Sequence, residues 1–190
     1  MGIRDALFGR KQLKEAAPDR LFALSTAQVT LEVELGLRSA GAAAVCFKRL
    51  SAGDFVRAQR ELAELLEITT LETGSQTEHR TDELGFEWIV IRDPHIEDLV
   101  TSVHLVSSDL IARGFGPQLL AAMFRFEARS ENGPVYLLYA YKRGTFYPFI
   151  PTGKDTRDNA RELELKAKLE RELPIEDDLS RWFGLYDAPI

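Results

Sequence analysis

The sequence predicts an α+β fold in which an antiparallel sheet of about five strands carries helices packed on it, with further helices at both termini. Three observations point there. Between Gly85 and Pro151 the apolar residues alternate, then form a helical stripe, then alternate again. Turn and cap residues fall at the switches: Asp93-Pro94, Arg113-Gly114, Gly116-Pro117, Asn132-Gly133 and Arg143-Gly144. The chain is 190 residues long and 45% hydrophobic, which suits one well-buried core and is short for two.

Taken in order, Met1 to Glu15 reads as a short amphipathic helix with Ile3, Ala6 and Leu7 on one face and added positive charge. Two readings stand: an interfacial anchor on an anionic membrane, or a terminus docked on the domain. The residues for membrane contact are Ile3, Leu7, Phe8, Arg10 and Lys11. Asp19 to Leu35 is helical and ends at Gly36, and Ala42 to Leu50 is a strand with Ala44 and Cys46 on one face and Val45 and Phe47 on the other. Ser51 to Ile68 has the spacing of an amphipathic helix, and polar Thr70 to Glu83 reads as an exposed loop.

Phe86, Trp88 and Val90 alternate with Glu87, Ile89 and Ile91, as in a strand buried on both faces. Asp93 caps the next helix with Pro94 at its first position, and Ile96, Leu99, Val100, Val103, Val106 and Leu110 make its stripe. Gly114, able to adopt the left-handed conformation, ends it. Three strands follow as a meander, the first with Leu120, Ala122, Phe124 and Phe126 on one face, and Asn132-Gly133 serves as a hairpin turn. Pro148, which lacks an N–H, sets the last strand at an edge or ends it early.

After Gly153 the composition becomes highly charged. Ala160, Leu163 and Ala167 share one side of a predicted helix, and Leu165, Leu169 and Leu173 lie almost opposite. Either the helix is held by one stripe, or it offers a second surface to a partner helix. Ile175 to Leu185 reads as a last short helix anchored by Leu179, Trp182 and Phe183. The chain thus divides into an N-terminal amphipathic segment (1–15), an α+β core (19–152) and a charged helical extension (154–190).

Little in this pattern carries chemistry. His95 and His104 fall on nearly opposite sides of one helix and His79 lies in the polar stretch, so no shared metal site follows from their spacing. Cys46 sits among apolar neighbours as a buried thiol. Ser107 and Ser108 lack a nucleophile elbow, and Gly114 with Gly116 follows a helix, the reverse of a dinucleotide loop. Tyr136, Tyr139, Tyr141, Phe146, Tyr147 and Phe149 read as core in preference to a base-stacking platform. A net charge of −6 disfavours nucleic acid, and no apolar run reaches bilayer length, so a cytoplasmic location is expected. No cofactor is expected.

Several passages carry a resemblance: MGIRDALFGRK, LFALSTAQVTLE with GLRSAGAAAVCFK, GFGPQLLAAMFRFE, VYLLYAYKRGTFYPFIP and RELPIEDDLSRWFGL. Together they resemble the PspA-associated protein PspAB family of actinobacteria and archaea, over almost the whole chain. The central block is similar to YbjN-like and type III secretion chaperone-like α+β domains. The resemblance implies a non-enzymatic accessory protein of envelope stress, with phage-shock protein A as a protein partner and peripheral contact with the inner face of the membrane. A chaperone-like module that holds exposed peptide segments is the alternative, with a homodimer compatible with either. The residues offered to a partner would be Leu165, Leu169 and Leu173 of the charged helix, with Tyr147 and Phe149 of the last strand.

Overall fold

The computed structural model describes residues 17–49, 64, 67, 71, 74–128 and 133–190. The N-terminal segment 1–15, nearly all of the helix expected at 51–68, and Asn132 of the hairpin turn lie outside the described residues. Glu64 and Glu67, within that expected helix, are helical and exposed, and so is Leu71.

The sheet has six antiparallel strands: β1 (Leu37–Lys48), β2 (Gln76–Thr81), β3 (Phe86–Arg92), β4 (Leu119–Ala128), β5 (Pro134–Ala140) and β6 (Thr145–Phe149). Their spatial order is β2-β3-β1-β4-β5-β6, with β1 central. The α+β class and the meander from β4 to β6 follow the sequence pattern. The strand beyond the expected five is β2, in the stretch read as a loop. Its sequence QTEHRT holds no large apolar residue, because it lies at an edge, pairs only with β3 and faces water along much of its length. The turn into β3 is organised by Asp82, whose Oδ1 accepts from the N–H groups of Leu84 (3.0 Å) and Phe86 (2.9 Å).

Both faces of the sheet are buried. On the first, Ala43, Val45 and Phe47 of β1, Ile89 and Ile91 of β3, and Val135, Leu137 and Tyr139 of β5 join one apolar cluster. Across it lies α2, which begins at Ile96 and runs to Ala112, and all six stripe residues are buried. The N-terminal part of this layer consists of a 3-10 turn (Pro18–Phe22), the short α1 (Ala23–Thr26) and a π-helical turn (Thr30–Glu34).

Three local details depart from the pattern or confirm it, each for a physical reason. The helix begins at Ile96 and not at Pro94, because Asp93 is still tied to the sheet through its N–H to the carbonyl of Gly41 (3.2 Å). The Asp93 carboxylate accepts from the N–H of His95 (2.8 Å) and from Ser75 Oγ (3.0 Å), so it braces the corner without capping the helix. At the other end the expected termination holds: Gly114 (φ +87°) follows Arg113, and Phe115 N–H reaches back to the Leu110 carbonyl (2.8 Å). In β4, Cys46 pairs with Ala121 and Phe47 with Leu119, which leaves Leu120 as an extra residue. The bulge turns Leu120 to the second face, away from Ala122, Phe124 and Phe126, with which simple alternation had grouped it.

β1 also begins five residues earlier than the expected Ala42. It holds a second irregularity, since Ser39 pairs with Phe126 but Ala42 with Arg125, so Ala40 and Gly41 are extra. Gly41 has φ +68°, and a Cβ there would stand 3.2 Å from the backbone oxygen of Asp93. Gly41→Ala is therefore expected to destabilise the fold by about 1–3 kcal/mol, read as a lower urea midpoint with unchanged slope.

Candidate functional site

The second face of the sheet is covered by the C-terminal stretch, and this cover builds the site. α3 (Asn159–Leu169) is capped by Asp158, whose Oδ1 accepts from Arg161 N–H (2.9 Å). Leu165, Leu169 and Leu173 are buried in the first-face cluster, while Ala160, Leu163 and Ala167 are exposed. The chain then passes along the outer edge of β6. Phe146 N–H donates to the Pro174 carbonyl (2.7 Å), and Glu176 N–H donates to the Phe146 carbonyl (2.8 Å). Arg157 donates to the carbonyl of Pro148 (3.3 Å), and the Asp158 N–H donates to that of Ile150 (2.9 Å). The edge that Pro148 marked is real, and the chain itself seals it.

From Ile175 the stretch crosses onto the second face as a strap. The short helix expected at 175–185 is reduced to one 3-10 turn, Leu179–Arg181. Its backbone groups are taken from outside: Tyr147 OH donates to the Phe183 carbonyl (3.1 Å), Arg157 to that of Trp182 (2.7 Å), and Tyr136 OH to that of Ile190 (3.0 Å). Of the three expected anchors, Trp182 is buried and stacked on Tyr147, with ring centroids 5.9 Å apart. Leu179 and Phe183 are half or more exposed.

Where the strap meets the bulged end of the sheet, it leaves a cleft of about 420 Å³. Cys46, Phe86, Leu120, Ala121, Ala140 and Tyr147 line it from the sheet, and Phe183 and Leu185 from the strap. Lys142, Arg143, Arg181 and Glu176 complete the lining. Glu176 accepts from Thr145 Oγ1 (3.2 Å) and from Asp178 N–H (3.2 Å), and Arg181 pairs with Asp178 (2.8 Å). Lys142 and Arg143 are exposed in the β5–β6 turn and form no ion pair among the described residues. Burial, with a smaller contribution from the Asp82 charge, pushes the Cys46 thiol up to about 12, so it is a neutral wall atom and not a thiolate nucleophile. Burial likewise raises the Tyr147 phenol, whose proton is held on Phe183.

Two polar clusters lie elsewhere. Buried Glu87 accepts at Oε2 from Thr81 Oγ1 (2.8 Å), with His79 Nε2 at the same distance and Arg49 3.7 Å from Oε1. Asp93, His95 and Asp98 bring ligand-type atoms within 4.8 Å of one another. Both Asp93 oxygens already serve the corner between β3 and α2, which explains that cluster without a cation.

The residues expected at a partner surface do not form one face. Tyr147 and Phe149 lie on the second face and Leu165, Leu169 and Leu173 on the first, all buried. A partner touching these side chains would have to displace the chain's own C-terminal stretch. Tyr147 alone of the five reaches the cleft. The membrane-contact residues Ile3, Leu7, Phe8, Arg10 and Lys11 lie outside the described residues. Among the described residues, no helix is long and apolar enough to cross a membrane.

The described residues thus form an α+β sheet strapped by the chain's own C-terminal stretch, with an apolar cleft whose lining includes the Cys46 thiol and whose mouth carries Lys142 and Arg143. The family model for PspA associated protein B matches residues 1–190, and the chain belongs to that family. No curated protein and no solved structure matches it.

Proposed function

We propose that the chain is a non-enzymatic accessory protein of the phage-shock (PspA) envelope-stress response. It acts by binding protein, in the cytoplasm or at the inner face of the membrane. The observation that carries this reading is the family match across the full length, which associates the chain with the PspA system. Of the surfaces such a protein could offer to a partner, a sheet edge or the terminal helix, the β6 edge is already occupied by the Pro174–Glu176 backbone. On α3, the Ala160, Leu163 and Ala167 side is exposed, and it is the side offered to a partner helix or a second copy. The alternative, a chaperone-like module that holds exposed peptide segments, would use an apolar groove such as the cleft under the strap.

Immobilised full-length chain is expected to retain purified phage-shock protein A at micromolar concentration above a blank-bead control. No retention, with or without added anionic vesicles, overturns the partner assignment. Membrane contact through the N-terminal segment is tested by Leu7→Glu with Phe8→Glu. The double variant should lose sedimentation with anionic vesicles, and unchanged sedimentation rules that segment out.

A further inference from the structure

We propose that the cleft under the strap is a binding site for the single hydrocarbon chain of an anionic amphiphile, with the head group held by Lys142 and Arg143. The inference is independent of the protein-partner reading. It rests on volume, lining and charge. At about 420 Å³ the cleft falls within the roughly 300–1,000 Å³ of small-molecule sites, and its interior walls are carbon, sulfur and aromatic ring.

The wall chemistry selects among occupants. A peptide backbone brings an N–H and a C=O at every residue, and each must find a partner when buried. The hydroxyl on the wall, that of Tyr147, already donates to Phe183, and the Cys46 thiol is a weak donor. An alkyl chain asks for no partners and gains free energy simply by leaving water.

The mouth supplies the second half of the recognition. Arg181 is committed to Asp178, and the Glu176 carboxylate is met by Thr145, the Asp178 N–H and, at 3.9 Å, Arg181. That leaves Lys142 and Arg143, adjacent in the β5–β6 turn, as cations without a counter-charge among the described residues. An apolar cavity with a net cationic lip complements an anion at the end of a chain. That chemistry is shared by a free fatty acid and by a single-chain phospholipid.

Three parts of the cleft come from different places in the sequence. The Leu120 bulge turns a side chain toward it, the β5–β6 turn carries the cations, and Phe183 and Leu185 wall it from the strap. Phe183 lines the cleft while mostly exposed, and a bound chain would cover part of its ring.

The test uses the full-length protein and titration calorimetry with octanoate, decanoate, dodecanoate and lysophosphatidylglycerol, all below their micellar concentrations. Saturable one-to-one binding is expected, tightening by about fourfold per methylene until the cleft is full. Dodecanol should bind about tenfold more weakly than dodecanoate, and Lys142→Glu with Arg143→Glu should remove that difference. Ala140→Phe should abolish binding by filling the cleft. The lip variant replaces exposed side chains only, so it keeps the test decisive if the filled variant does not fold. Whichever of dodecanoate and the lysolipid binds more tightly identifies the source of the anion, and either result sustains the proposal.

The proposal fails if no chain length binds saturably, if the alcohol binds as well as the acid, or if a folded Ala140→Phe protein binds undiminished. It also fails if an acidic amphipathic peptide binds at this site, by the same two variants, where dodecanoate does not.

Discussion

Arg157→Ala is expected to destabilise the protein by about 3–5 kcal/mol, the penalty typical of stranding a buried charge by removing its partner. The guanidinium is largely buried and joins three parts of the chain. Its Nε donates to both oxygens of Glu162 (2.9 and 2.8 Å), and its other nitrogens donate to the carbonyls of Trp182 (2.7 Å) and Pro148 (3.3 Å). It also lies 5.0 Å from the centre of the Phe149 ring. Without it, buried Glu162 keeps the Ile150 N–H (2.7 Å), just past β6, as a donor but loses its counter-charge.

The same loss should become steeper with pH. Burial pushes the Glu162 carboxyl above its ordinary range, and hydrogen bonds from Arg157 and Ile150 pull it back. Removing Arg157 raises it further. A carboxyl whose folded value exceeds its unfolded one favours the folded state below the unfolded value, near about 4.3, and loses that advantage as pH rises through the folded value. The deficit of the variant should therefore be smallest near about pH 4 and largest at neutrality. Arg157→Lys should recover little, because one ammonium cannot reach three acceptors, whereas Arg157→Met with Glu162→Met should recover most of the loss. Urea unfolding at several pH values compares these variants with the parent protein. A deficit under about 1 kcal/mol, or one independent of pH, would mean that the pair is solvated and not a staple.

The distinction between what the sequence reveals and what it conceals runs along the same line, between local and assembled structure. The alternation in β3, the stripe of α2 and the Gly114 terminus are each written within a few residues, because each depends on one buried face or one backbone angle. β2 is silent because an exposed edge strand needs no apolar residues. Leu120 misleads because a bulge reverses the alternation without a residue type that announces it. In the charged helix the two stripes look equivalent, and only the path of the chain beyond Pro151 decides that Leu165, Leu169 and Leu173 turn inward. The cleft was illegible for a stronger reason: its walls come from β1, β3, β4, β5, β6 and the strap, so no local motif contains it. Arg143-Gly144 was visible as a turn, but Lys142 and Arg143 become a lip only when the strap is laid across the sheet.

That strap is the subject of the second large effect. Trp182→Ala is expected to cost about 3–5 kcal/mol, the usual range for deleting a buried large aromatic. The indole stacks on Tyr147, its N–H donates to the Glu176 carbonyl (3.0 Å), and the residue's own carbonyl holds Arg157. Phe183→Ala, one residue on and mostly exposed, should change stability by no more than about 0.5 kcal/mol. The contrast between neighbours is what separates a strap from an appended tail. If residues 175–190 were an appendage, Trp182→Ala would free them for proteolysis while the sheet kept its unfolding midpoint. If they belong to the core, the midpoint falls and cleavage within the strap follows global unfolding. The structure favours the second outcome, because Trp182, Tyr147 and Phe149 share one buried cluster with Trp88 and Val90 of β3. It follows that deleting residues 154–190 to map a binding surface would uncover Tyr147, Phe149 and the β6 edge together, and should give aggregation. Loss of partner binding in that truncation would then report on the sheet, so point substitutions on the exposed side of α3 are the cleaner probe.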